Sequence, residues 1–110
     1  MTSIDVREAD GGVVLAPSGR LTVVTAPELR TTVAERITAG DKIIVVDLSV
    51  TEFVDSSGLG ALVSCLKSAR QAGGDLRIVA PTEQVAMVLR MTNLDRILQP
   101  RASVAEALQG

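Results

Sequence analysis

Residues 42 to 48 read Lys-Ile-Ile-Val-Val-Asp-Leu. The four residues Ile43-Ile44-Val45-Val46 are all β-branched, and no polar residue interrupts them. Side chains of a strand alternate between faces, so such a run leaves neither face for water. It must be a central strand covered on both sides. That requirement points to an α/β fold, in which helices supply the cover.

The remaining chain supplies matching pieces. Ile4 to Glu8 alternates apolar and polar, as a half-buried strand does. Asp10-Gly11-Gly12 is a turn signal and Val13 to Pro17 a second strand, which predicts an opening hairpin. Gly19-Arg20-Leu21-Thr22 reads as a loop. Thr25 caps a helix with Pro27 in its first turn and Glu28 at capping-box spacing. Leu29, Val33 and Ile37 form that helix's apolar stripe, and it stops near Gly40. After the central strand, Gly58 to Ala72 forms the next helix, with Leu59, Leu62, Val63 and Leu66 on one face. Gly73-Gly74 ends it, and Leu76 to Ala80 is another strand. Pro81 and Thr82 open a helix carrying Val85, Val88 and Leu89. Ile97-Leu98 reads as a short last strand, and Ser103 caps a closing helix with Val104, Ala107 and Leu108. The order β-β-α-β-α-β-α-β-α implies a mostly parallel sheet with right-handed crossovers, about four helices and one domain over residues 1–110.

Composition narrows the function. The 110 residues include one aromatic, Phe53, so Val, Leu, Ile and Ala must build the core. A formal charge of −2 with scattered basic residues gives no footprint for nucleic acid. No apolar run reaches the length of a membrane span, and no signal pattern opens the chain. A single cysteine, Cys65, excludes an internal disulfide and suits a reducing cytoplasm. There is no histidine. This removes Ser-His and Cys-His pairs and most zinc sites, and argues against an enzyme. No catalytic residue, metal site or cofactor is expected.

The informative motif is Asp55-Ser56-Ser57-Gly58-Leu59-Gly60, at the mouth between a strand and a helix, where α/β proteins place their sites. Ser and Asp are good helix caps, and capping accounts for one of them. Gly58 and Gly60 keep the first turn bare, at a cost of up to about 1 kcal/mol each relative to Ala. A bare first turn admits another backbone or a phosphate. A hydrolase elbow, a dinucleotide fingerprint and a P-loop all fail on spacing or on missing partners. A regulated serine suits the motif better. A phosphate on Ser56 would lie at the positive end of the helix and add nearly two negative charges beside Asp55.

The segment from Val45 to Val79, "VVDLSVTEFVDSSGLGALVSCLKSARQAGGDLRIV", resembles the core of the STAS domain, in particular of bacterial anti-sigma factor antagonists. The similarity extends to "GRLTVVTAPELR" before it and "VLRMTNLDRILQPRASVAEAL" after it. The resemblance implies a small mostly parallel sheet wound as a right-handed βα superhelix. It implies a protein that binds an anti-sigma factor, usually itself a serine kinase, and so frees a sigma factor. The serine after the motif's aspartate, Ser56, would be phosphorylated by that kinase and restored by a phosphatase. Asp55 would shape the site, and Ser57, Gly58, Leu59, Gly60 and Ala61 would form the helix start that meets the partner. Members commonly carry an acid where this chain has Thr22, beside the switch serine. Thr22 is therefore either a modifier of phosphorylation and partner choice or an inert loop residue. Two other roles for such a domain are a scaffold subunit of a signalling assembly and the small subunit of a lipid transporter complex.

Other residues carry weaker signals. Gly58, Ala61, Cys65 and Ala72 form a strip of small side chains, for close packing or for a flat docking surface. Cys65 reads as a packing residue, Met87 and Met91 as core or rim, and Lys67 and Arg70 as a solvated face or a partner contact. Phe53 is expected to anchor the loop by burial.

Overall fold

The computed structural model describes residues 4–109. In chain order the elements are β1 (Ile4–Ala9), β2 (Gly12–Pro17), β3 (Gly19–Leu21), α1 (Ala26–Thr38), β4 (Ile43–Asp47), β5 (Thr51–Val54), α2 (Ser56–Gln71), β6 (Asp75–Val79), α3 (Glu83–Met91), α4 (Asp95–Leu98) and α5 (Val104–Gln109).

The apolar run becomes β4, and it is covered on both faces. Ile44 and Val46 enter the larger core with Leu29 and Val33 of α1, Leu62 and Leu66 of α2, and Val85 and Leu89 of α3. Val45 faces the other way, onto Val14, Val79 and Ala107 of α5. The main sheet has the order β1-β2-β4-β6. β4 lies parallel to β2 and β6, while β1 and β2 form the antiparallel hairpin. β1 is the exposed edge, and Val6 there is 44 % exposed rather than half-sunk in a core.

Two strands were not visible in the residue pattern. Gly19–Leu21, expected to be a loop, is β3, and it pairs in parallel with β5 as a separate two-stranded ribbon. Their inward residues Leu21 and Val54 are buried in the larger core. The ribbon is joined to its surroundings by Thr51. Its hydroxyl donates to the Pro17 carbonyl at 2.6 Å, and its own carbonyl accepts from the Thr82 hydroxyl at 3.2 Å.

The chain also departs from the expected last strand. Ile97 and Leu98 lie in a helical turn, α4. Leu94 and Leu98, four apart, face the larger core while Ile97 is 48 % exposed, which is helical spacing. Among the described residues, the strand-like contact there is an isolated bridge from Val79 to Arg101. The described residues thus hold five helices where about four were expected, the extra one being the short α4. Ser103 does cap α5, accepting the Glu106 N–H, while the Glu106 carboxylate accepts the Ala102 N–H. Thr25 does not act as expected. Its side chain makes no cap bond to α1. Instead its hydroxyl donates to the Arg20 carbonyl and accepts from the Thr22 N–H, both at 2.8 Å, which folds the preceding loop back on itself.

Candidate functional site

β5 ends at the buried Val54, and the next residue, Asp55, is extended at φ −104°, ψ −175°. That conformation is the one an N-cap requires. One carboxylate oxygen of Asp55 accepts the Gly58 N–H at 2.9 Å. The other accepts the Val23 N–H at 3.3 Å, in the loop between β3 and α1. The Asp55 N–H itself donates to the Leu21 carbonyl at 3.3 Å. A single residue therefore closes the helix start and joins two loops.

The cap assignment changes the reading of the serines. α2 begins at Ser56, two residues earlier than Gly58, where the residue pattern starts it. Asp55 is the cap, so neither serine is needed for it. Ser56 is exposed at the first helical position and Ser57 is half-buried. Among the described residues, neither hydroxyl makes a hydrogen bond.

The other motif residues divide into surface and core. A Cβ on Gly58 would stand 2.3 Å from the Leu21 carbonyl oxygen, so another backbone does approach the bare first turn, and it belongs to this chain. A Cβ on Gly60 would meet nothing within 4 Å. Leu59 is 6 % exposed and Ala61 is fully buried, so Ala61, expected at the partner surface, is a core residue. Gly58, Ala61 and Cys65 are buried, as close packing of the small-residue strip requires, whereas Ala72 is exposed. Burial pushes the Cys65 thiol up to about 11, against a smaller lowering by the Arg30 charge.

Thr22 lies beside the site, one residue before the N–H that Asp55 holds. Its carbonyl accepts the Thr25 and Ala26 N–H groups at 3.0 and 2.7 Å, and its hydroxyl accepts the Val24 N–H at 3.4 Å. This loop also presents two exposed apolar residues. Val23 and Val24 are 65 % and 82 % exposed. Their signal was present, as two apolar residues between threonines with no partner in any periodic stripe. A groove of about 520 Å³ runs from Ser56 along α2. Ser56, Gly60, Val63, Ser64 and Lys67 line it along the helix, and Thr92 and Leu94 form its far wall. Lys67 thus borders the groove. Phe53 is half-buried, not fully buried, and the Arg20 guanidinium lies over its ring at 4.7 Å from the centroid. Met87 and Met91 are on the rim, 46 % and 77 % exposed.

Chemically the arrangement offers an exposed hydroxyl at a helix start, a fixed carboxylate beside it and apolar surface around both. Among the described residues no group of three or more His, Cys, Asp or Glu could hold a metal ion. No described helix is long and apolar enough to cross a membrane.

Comparison with known proteins places the chain in a family. A Thermotoga neapolitana protein provisionally named an anti-sigma factor antagonist is 37 % identical over 98 residues, covering 88 % of this chain and 87 % of its own. The anti-sigma-B factor antagonist of Staphylococcus aureus is 30 % identical over 80 residues, covering 73 % of this chain and 74 % of its own. The crystal structure of an anti-sigma factor antagonist from Thermotoga maritima, also provisionally named, superimposes with a TM-score of 0.87 at 34 % identity, covering 96 % of this chain and 92 % of that one. SpoIIAA of Bacillus shares the fold at 20 % identity in its unphosphorylated form (TM-score 0.81) and 19 % in its phosphorylated form (TM-score 0.73). The STAS domain model matches residues 3–107, and the chain belongs to the STAS domain family.

Proposed function

We propose that this chain is an anti-sigma factor antagonist, a regulatory binding module without catalysis, whose switch is phosphorylation of Ser56. The relatives that carry the antagonist name support the general role. The observation that carries the switch is local: Asp55 caps α2, so Ser56 is left exposed with its hydroxyl unengaged. That one STAS protein has been solved in phosphorylated and unphosphorylated forms is consistent with such chemistry on this fold.

In this reading the partner is an anti-sigma factor of the serine kinase type, and a phosphatase reverses the modification in the cytoplasm. The docking surface comprises Val23 and Val24, the exposed start of α2 at Ser56 and Gly60, and the groove as far as Lys67. A phosphate on Ser56 would sit at the helix's positive end and bring nearly two charges next to the Asp55 carboxylate. A partner seated on the valines would then face a hydrated dianion, and binding would weaken. Thr22 leaves the loop without the acid common at this position. Thr22→Asp is expected to alter the rate of phosphorylation rather than the fold.

The test is capture of partners from host lysate by wild type, Ser56→Ala and Ser56→Asp. The reading holds when Ser56→Ala retains a kinase-like protein and Ser56→Asp loses it. Equal retention of a transporter or scaffold component by all three would replace it with one of the assembly roles.

A further inference from the structure

We infer that the outer edge of β1 is a self-association surface, where a second copy of this chain adds its own β1 in antiparallel register across a two-fold axis. Among the described residues no strand pairs with that edge. The hairpin decides which backbone groups face it. β1 and β2 are joined by the two-residue loop Asp10-Gly11, with Ala9 opposite Gly12. A two-residue loop makes the flanking pair a hydrogen-bonded one, and the antiparallel alternation extends this to Arg7 with Val14 and Asp5 with Ala16. Ile4, Val6 and Glu8 therefore turn their N–H and C=O groups outward.

The side chains select one register. With Val6 on the axis, Val6 meets Val6, Ile4 meets Glu8, and Asp5 meets Arg7 twice. The backbone forms about six hydrogen bonds in this arrangement. Asp5 and Arg7 then occupy non-hydrogen-bonded pairs, where opposed side chains come closest. A slip of one residue turns the outward groups against side-facing ones and loses the ladder. A slip of two, in either direction, sets Asp5 against Asp5 or Arg7 against Arg7, and like charges opposed on a sheet are destabilising. Both side chains are free to engage, since among the described residues neither Asp5 nor Arg7 has an ion-pair partner. Glu8 is already held by Arg36 at 2.6 Å, so it adds no unpaired charge. Val6, 44 % exposed, gains cover. Charges on an edge usually deter pairing with other strands. Here opposite signs two residues apart make the edge complementary to itself.

The experiment is sedimentation equilibrium on wild type, Arg7→Asp and Asp5→Arg, each alone up to about 1 mM, and on the two variants mixed. The expected result is a concentration-dependent dimer for wild type that weakens in salt. Each variant alone should associate about tenfold less, because two attractive pairs become repulsive. The mixture should recover wild-type association, since the two edge aspartates of one chain then face the two edge arginines of the other. A wild type that stays monomeric, single variants that associate as it does, or a mixture that fails to recover would each overturn the inference. Partner capture through Ser56 is read separately and does not depend on the outcome.

Discussion

The Asp55 carboxylate and the Val23 N–H meet at 3.3 Å across 32 positions of sequence. The same side chain caps α2 through Gly58. The loop that carries Thr22, Val23 and Val24 is thus positioned by the residue that starts α2. Asp55→Ala should remove both bonds and cost about 1–2 kcal/mol, in the range of a lost cap. Asp55→Asn keeps one acceptor oxygen, which serves Gly58 or Val23 but not both, and should lose less. Urea midpoints at unchanged slope measure the two.

Alanine at two glycines two residues apart should have opposite effects. At Gly58 the added methyl would collide with the Leu21 carbonyl and the Val54 side chain, at 2.3 and 2.8 Å. Overpacking of this kind costs about 1–3 kcal/mol, and backbone yields poorly. At Gly60 the methyl enters open space. There Ala should stabilise α2 by up to about 1 kcal/mol through helix propensity. Thermal unfolding of the pair checks both signs at once, and a loss at Gly60 would contradict the described helix surface.

Cys65 should be unreactive in the folded state. It is 3 % exposed, and burial has raised its pKa to about 11. A free cysteine ionises near 8.5, so between about pH 8.5 and 11 the unfolded chain loses a proton that the folded chain keeps. Stability should fall as pH rises through that window, and Cys65→Ala should remove that component. Alkylation should be slow in buffer and fast in denaturant.

Acid should act through Asp75. Partial burial pushes its carboxyl up, but Arg70, the Leu76 N–H and Arg77 together outweigh this and hold it below the usual carboxylate value. The unfolded chain therefore takes up the proton first as pH falls below about 4. The contribution is complete above that pH and disappears as pH drops through the folded value. Asp75→Asn should flatten the acid limb of a stability profile measured by urea unfolding.

The sequence made the larger elements legible because their cores impose periodicity. β4 could be read from four apolar residues in a row, and α2 from Leu59, Leu62 and Leu66. The ribbon could not. β3 and β5 have three and four residues, carry the exposed Arg20 and Glu52, and depend on a partner far along the chain. Ile97 and Leu98 were ambiguous for the same reason, since two apolar residues suit a strand or a helical turn. At the site, Asp55, Ser56 and Ser57 are all capable caps, and only the backbone angles choose among them. Val23 and Val24 stand out in the sequence only as two apolar residues outside any periodic stripe, and that they face solvent is a tertiary property.

The choice of Asp55 as cap bears on how often a switch here can be thrown. Had Ser56 held the helix start, each modification would have unseated a structural bond and each reversal would have had to rebuild it. With a carboxylate in that role, the hydroxyl next to it is chemically spare. Under the proposed switch, a phosphate could be added there and removed repeatedly while the scaffold beneath stays the same, and the lifetime of the signal would be set by the enzymes that add and remove it and not by refolding.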